Sequence, residues 1–327
     1  MSPAVSVIVP TRNRAKLVER LLTQLAALPA DPAHDGVSHE VIVVDEGSTD
    51  ETPALLDSFA RRHGFRIIRH DEPVGLPAAR NVGLARAIGE FVGWIDDDDL
   101  TAPDRLARQY HALVERSGGW SCSARVDIDD SLRVIGHGRC PTPSGPSLLP
   151  DLLRFNCLPT SAQGLLVERP LALDIGGYDE SLRSAEDWEF CIRLCARAEP
   201  HLLDEPLVGY RTGVESMSTN TARMDEAIQA VVDKHADLFR RHGAAPDWSR
   251  IHESLMAADL LGSRWQAVKR AGRSFAANPS VHRALRCGLV VAAPAWFARR
   301  SAARRVAQVP PEWVRQANDW LRPDSRT

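Results

Sequence analysis

The first hundred residues constrain the fold more than any other stretch, because strand-like and helix-like patterns alternate in them four times. Residues 5–9 are a short apolar run of strand character. The loop 10–14 follows, and then Leu17, Val18, Leu21, Leu22 and Leu25 recur at helical spacing until a Pro/Asp/Gly loop over 29–36. Residues 40–44 form a second run, nearly all apolar, as a strand buried on both faces requires. Ser48 and Glu51 are spaced as a capping box, predicting a helix with Leu55, Leu56 and Phe59 inward that stops near Gly64. Residues 65–69 read as a third strand, 75–87 as a third helix and 91–95 as a fourth strand. Such alternation predicts a doubly wound, mainly parallel sheet with ligands beyond the carboxyl ends of its strands.

Those ends are chemically marked. The fourth strand runs straight into Asp96, Asp97, Asp98 and Asp99, and four adjacent carboxylates repel one another unless a cation sits among them. On the residues alone two readings stay open, a metal held at a strand end and a solvated acidic turn. The second strand also ends in acid, at Asp45 and Glu46.

Beyond residue 100 the pattern mixes. A helix opens at Pro103 with Leu106, Tyr110, Leu113 and Val114 on one face, and residues 120–128 and 132–135 read as strands around an Asp129-Asp130 turn. A Gly/Pro/Ser-rich surface loop covers 136–150, a short helix 152–155, a strand 163–167 and a helical turn 169–175 closed by Gly176 and Gly177. Residues 185–198 make a helix with Glu186, Asp187 and Glu189 in its first turn, where the helix dipole favours negative charge. A last strand spans 202–210, and the polar loop 211–220 has the character of a lid. From 221 onward helices dominate, at 227–241, 254–261, 265–277 and 281–291, so a boundary is expected near 220. That leaves an α/β unit over 1–220, divided near 100, and a helical region over 221–327.

Composition narrows the function classes. With 327 residues, 44% of them hydrophobic, the chain can bury a large core, and no run approaches the ~18 apolar residues of a membrane span. The net charge of -3 supplies no general field for nucleic acid, so no nucleic-acid partner is expected. The six cysteines show no paired metal spacing and read as reduced thiols of a cytoplasmic protein. One segment departs from neutrality. Between Leu260 and Pro311 there is no Asp or Glu but ten Lys or Arg, which reads as an anionic-membrane contact at the inner membrane face, a partner-docking surface, or a helical cap with solvated arginines.

Six short motifs in fixed order then resemble the inverting glycosyltransferases of family 2, which have the GT-A fold. They are residues 7–14 with Pro10-Thr11-Arg12-Asn13-Arg14, 43–50 with Asp45-Glu46-Gly47-Ser48, Gly75 with Ala78-Ala79-Arg80-Asn81, 94–99 with Pro103-Asp104, 176–180, and Ala185-Glu186-Asp187-Trp188. The resemblance, over residues 4 to about 215, implies an α/β GT-A fold with a mixed, mostly parallel sheet flanked by helices. It implies sugar transfer from a nucleoside diphosphate sugar, a UDP-sugar first among them, to a hydroxyl of a glycan, lipid-linked or small-molecule acceptor. It implies a divalent cofactor, Mn²⁺ or Mg²⁺, with Asp98 as ligand and Asp96 second or near the ribose. Pro10, Thr11, Arg12, Asp45, Glu46, Arg80, Asp96 and Asp97 fall to the nucleotide sugar, and Asp187 to the general base. Glu186, Trp188 and Arg211 fall to the acceptor side and lid. Asp97 also has a plainer reading, pointing away along the chain, and Asp99 one as a cap of the next turn. Two positions depart from the family pattern, Glu46 where an Asp is usual and Gly213 where many members carry a His. A catalytically inactive nucleotide-sugar-binding protein therefore remains an alternative. A sugar-nucleotide pyrophosphorylase is a weaker one, because residues 10–14 contain no glycine.

Overall fold

The computed structural model describes residues 2–28, 36–212 and 221–321. Most of the expected 29–36 loop, and positions 213–220 of the expected lid with Gly213, lie outside them. The strands are β1 (Val5–Thr11), β2 (His39–Glu46), β3 (Arg66–His70), β4 (Phe91–Trp94), β5 (Leu100–Thr101), β6 (Trp120–Ile128), β7 (Val134–Gly138), β8 (Leu165–Glu168) and β9 (His201–Arg211). They form one sheet in the order β3-β2-β1-β4-β8-β6-β9-β5, with β7 beside β6. The first four strands pair in parallel, β8 joins β4 and β6 antiparallel, and β6 and β9 run parallel. The sheet is thus mixed, with a wholly parallel N-terminal half.

The interleaved helices are α1 (Ala15–Ala26), α2 (Thr52–His63), α3 (Leu76–Arg86), α4 (Arg105–Glu115), α5 (Leu149–Arg154), α6 (Arg169–Asp174) and α7 (Glu186–Cys195). On α1 the apolar stripe Val18, Leu21, Leu22 and Leu25 is fully buried against Val7, Val9 and Val43 of the sheet. Each such side chain contributes roughly 1.5–3 kcal/mol of burial. Helix α3 packs closely on β1 because Gly83 has no side chain: a Cβ there would overlap that of Ile8.

The second half continues as α8 (Thr221–Lys234), α9 (Ala236–Arg241), α10 (Trp248–Gly262), α11 (Arg264–Ala277), α12 (Val281–Ala292), α13 (Pro294–Ala307) and α14 (Pro311–Leu321). Helices α8, α9, α10 and α14 share the core of the sheet, while α11, α12 and α13 pack with α10 around Met256, Ala267, Ala271, Val290 and Phe297 in a cluster of their own. Ile228, Val231, Phe239 and Ile251 pack in one cluster with Trp94, Phe190 and Ile192. Trp313, Ala317 and Leu321 of α14 cover Leu100, Ala124, Val126 and Ile128.

Several local expectations are corrected. No capping box opens α2: Ser48 Oγ accepts instead from Asn13 N (2.9 Å), and Asp50 Oδ1 takes the Thr52 amide (2.9 Å). The hydroxyl is drawn across to the loop after β1, and a nearer carboxylate serves the helix. The second strand of the 120–135 pair lies at 134–138, after a bulge at Asp127/Ile128. Strand β5 and helices α13 and α14 lie where the sequence pattern predicts no element. No helix among the described residues is long and apolar enough to cross a membrane.

Candidate active site

Register brings the marked strand ends together. Thr11 pairs with Asp45 across β1 and β2, while Ile8 pairs with Trp94, so β4 stops short of β1 and its acids turn over the sheet's carboxyl edge. Thr11 Oγ1 donates to Asp97 Oδ2 (2.7 Å), and Arg14 Nη1 donates to both Asp97 Oδ1 and Asp98 Oδ2 (2.8 Å each). Asp97 is buried, and burial with the neighbouring Asp98 pushes its carboxyl up to about 6 against the pull of Arg14. Asp98 is raised by burial and Asp96, and Asp99 well raised by burial, Asp98 and Asp96. Asp99 Oδ1 accepts the Arg211 amide (2.9 Å), while its Oδ2 is buried without a partner. The four acids are therefore four different groups. Asp96 is the most open, its side chain 28% exposed.

Arg80 links this edge to the first turn of α7. Only 2% exposed, it donates from Nη2 to Asp96 Oδ1 (2.8 Å) and from Nη1 to Glu186 Oε1 (2.9 Å), with its guanidinium 5.0 Å from the Tyr178 ring centroid. Burial alone would lower the pKa of Arg80, but Asp96 and Glu186 outweigh it and raise it. Glu186 is raised by burial and Asp187 in spite of Arg80.

Helix α7 starts abruptly. Ala185 sits in the left-handed region (φ 57°), a strained position for a residue with a Cβ, and it swings Glu186 and Asp187 toward the carboxyl edge. Asp187 Oδ1 caps the Trp188 amide (2.7 Å), and its Oδ2 accepts from Ser161 Oγ (2.6 Å), itself held by Asn156 Nδ2 (3.0 Å). Trp188 is buried, with Nε1 donating to Leu152 O (2.8 Å).

A cavity of about 580 Å³ opens between this edge and the helical region. One side carries Arg80, Asp96, Glu186, Asp187, Ser161 and Arg125; the other is apolar, with Phe155, Leu158, Met224, Ile228, Ile251 and Leu255. Arg125 lies 4.3 Å from the Tyr210 ring centroid and pairs with Asp127 (2.8 Å).

The remaining candidates sit around this centre. Asp45 is buried with both oxygens engaged, by Ser48 N (3.0 Å) and Arg69 Nε (3.2 Å). Glu46 Oε2 accepts the Gly75 amide (2.7 Å), tying β2 to the start of α3. Pro10 is buried in β1 and Arg12 exposed beyond it. Arg211 lies behind the acids, its Nε donating to Asp98 O (3.0 Å). Arg14, Ser161, Asn156 and Arg125 were not singled out from sequence. Arg14 stood in a quoted motif, whereas residues 156–163 carry no recognisable pattern.

Among the described residues no group of three or more His, Cys, Asp or Glu side chains is arranged to hold a metal ion. The donor chemistry at Asp96 and Asp98 nevertheless fits a hard divalent cation. It offers carboxylate oxygens, and burial together with the neighbouring Asp96 raises the pKa of Asp98, whose Oδ2 also accepts from Arg14.

Comparisons with known proteins bear on the family and the fold. The family model described as glycosyl transferase family 2 matches residues 6–164. The pre-mycofactocin glycosyltransferase of Mycobacterium tuberculosis (strain ATCC 25618 / H37Rv) is 31% identical over 307 residues, covering 83% of this chain and 59% of that protein. The chain thus spans about three fifths of that relative. The mannosyltransferase PcManGT from Pyrobaculum calidifontis, solved with GDP-Man and Mn²⁺, matches with a TM-score of 0.56 at 20% identity over 100% of this chain and 89% of that one. S. aureus TarS 1-349, solved with UDP-GlcNAc, matches with a TM-score of 0.54 at 18% identity over 99% and 91%. These structural likenesses establish the GT-A fold.

Proposed function

We propose that this chain, a family 2 glycosyltransferase over residues 6–164, inverts the anomeric centre of a nucleoside diphosphate sugar as it transfers the sugar to an acceptor hydroxyl. The observation that carries this reading is the single cavity onto which Asp96, Arg80, Glu186 and Asp187 all open. The nucleotide sugar binds along the carboxyl edge formed by Thr11, Asp45, Asp96 and Asp97, with Arg80 as the nearest buried cation. PcManGT and TarS, solved with GDP-Man and UDP-GlcNAc, support a donor of this class.

Asp187 takes the proton of the acceptor hydroxyl as its oxygen attacks the anomeric carbon from the face opposite the diphosphate. The new C–O bond forms, the bond to the diphosphate breaks, and nucleoside diphosphate leaves. Ser161 holds the Asp187 carboxylate in one orientation, which keeps its other lone pairs toward the cavity. A divalent cation such as Mn²⁺ or Mg²⁺, held by Asp98 with Asp96, would neutralise charge that develops on the departing diphosphate. The apolar wall of Phe155, Met224, Ile228 and Leu255 accommodates an apolar part of a lipid-linked or small-molecule acceptor, whose burial there costs no hydrogen bonds.

The test is release of nucleoside diphosphate from a panel of UDP- and GDP-sugars with and without Mn²⁺, with the anomeric configuration of the product read by NMR. Asp187→Asn should lower kcat by at least about 100-fold. Transfer that survives Asp187→Asn, or metal dependence unchanged in Asp98→Ala, would refute the respective role. A second reading, nucleotide-sugar binding without turnover, is favoured by one observation: Asp98, the residue that would hold the cation, already accepts from Arg14 (2.8 Å). Binding of the panel without any product would establish it.

A further inference from the structure

Helix α12 departs from an ordinary surface helix, which turns apolar residues to the core and charges to water: it packs Val290 and Cys287 inward yet leaves a second apolar face outside. Its two arginines point inward, Arg283 and Arg286 pairing with Glu253 at 2.8 and 3.2 Å. Its outer face is Val281, Ala284, Leu285, Gly288, Leu289 and Ala292, an apolar stripe at helical spacing, all exposed. Val281 is 79% and Leu285 63% exposed. Eight of the twelve large hydrophobic side chains exposed among the described residues lie between Trp265 and Val306, so the stripe belongs to a concentration of apolar surface. Trp265 and Trp296 are among them, at 75% and 45%, with the Arg300 guanidinium 5.3 Å from the Trp296 ring centroid.

The segment itself carries one sign of charge, and the acids that meet it come from outside it, Asp225 pairing with Arg270 and Arg273 and Glu253 with Arg283 and Arg286. From Leu260 to Pro311 the chain has no acidic residue, and Lys269, Arg273, Arg299, Arg300, Arg304 and Arg305 are all exposed. We infer that α11 to α13 dock on an anionic lipid surface, the α12 stripe entering the headgroup–acyl boundary and the cations meeting lipid phosphates. Apolar stripe, interfacial tryptophans and basic rim are the three elements such a surface binds. A second copy of the chain fits poorly, because stripe against stripe would set cations against cations with no acid from this segment to pair them. This inference goes beyond the proposed transfer and does not depend on it.

The experiment is co-sedimentation of the full chain with vesicles of phosphatidylcholine alone and of phosphatidylcholine with phosphatidylglycerol, at low and high salt. Binding is expected to the anionic vesicles and to fall with salt. One basic residue near such a surface changes partition about fivefold. Replacing Arg299, Arg300, Arg304 and Arg305 together by Ser should therefore lower it by on the order of 100-fold or more. Leu285→Ser with Leu289→Ser should lower it at least about tenfold while leaving the salt dependence. All six side chains are solvent-exposed, and circular dichroism checks that the variants fold. Equal binding to neutral vesicles, no binding to anionic ones, or retention of binding in the leucine variant overturns the inference. So does an oligomer in sedimentation velocity that the leucine variant dissolves, which would give the face to a second copy. Nucleotide-sugar turnover in solution, unchanged in these variants, keeps a failure here distinct from a failure of the proposed reaction.

Discussion

Replacing Arg80 by Met removes the one buried cation that holds Glu186 and Asp96 together, and its consequences can be worked through. The guanidinium is 2% exposed and makes two charge-assisted bonds of 2.8 and 2.9 Å. Methionine fills part of the volume, so the main loss is the pairing of Glu186, itself only 6% exposed. Breaking a buried pair from one side costs about 3–5 kcal/mol, because the remaining charge stays desolvated. For a chain of this size that corresponds to a fall in Tm of roughly 4–7 °C. The pH dependence has a definite sign. Glu186 is already raised by burial and Asp187 with Arg80 opposing, so loss of Arg80 raises it further. The folded variant then binds the Glu186 proton more tightly than the unfolded chain does. Its stability is highest below the unfolded pKa of Glu186 and is lost as pH rises through the folded one. Thermal unfolding of Arg80→Met at several pH values, with Arg80→Met/Glu186→Gln beside it, measures both effects. The double variant should recover at least half of the loss, since a neutral amide needs no counter-charge. A loss under about 1 kcal/mol, or no recovery in the double variant, would refute the claim that Arg80 is there to carry the two acids.

Ser161→Ala should lower kcat about tenfold while leaving donor affinity unchanged, because it frees Asp187 without touching the carboxyl edge; steady-state kinetics with varied donor checks this. An equal fall in donor affinity would show Ser161 acting elsewhere. The contact of α7 with α8 should be acid-sensitive. Burial alone would raise the pKa of Glu189, yet hydrogen bonds from His235, Arg193 and Lys234 hold it well below the usual 4.5. The resulting stability is present above the unfolded pKa and is lost as pH falls toward the folded one. Glu189→Gln should destabilise the protein near neutral pH and flatten the acid limb of a urea-unfolding profile measured from pH 6 to 3. An acid limb as steep as that of the parent protein would exclude Glu189 as its source.

What the sequence made legible was what local pattern controls. Near-continuous apolar runs such as 40–44 have no stable place except a strand covered on both faces, and they fell in β1 and β2 as expected. The place of the four acids at the sheet's carboxyl edge was legible for a similar reason: four carboxylates at a strand end admit few arrangements. Features set by contacts between distant parts were not. Strand β5 has two residues and exists because Leu100 and Thr101 pair with Gly209 and Val208. Helix α13, rich in Ala and Arg, lacks the apolar periodicity that would have marked it. At Ser48 the capping pattern was present, but Asn13, 35 positions earlier, took the hydroxyl. The cavity's apolar wall was hidden because Phe155 and Met224 become neighbours only when α8 settles beside α5 and α7. Ser161 is the same case in the polar wall: an unremarkable loop serine until the fold sets it against Asp187.

The last helix returns the chain to the strand it left: after β9 the polypeptide makes its helical excursion, and α14 comes back onto β9 and β6. A segment fastened at both ends to one scaffold behaves as an insertion. Within it, α11 to α13 pack around a cluster of their own, and their length can change at an entropic cost that grows only with the logarithm of the loop. Recombination between α10 and α14 would leave Leu100, Val126 and Ile128 covered, whereas truncation before α14 would uncover them. The same strands can thus be fitted to new surroundings by splicing helices between two fixed anchor points, with the sheet's carboxyl edge left as it was.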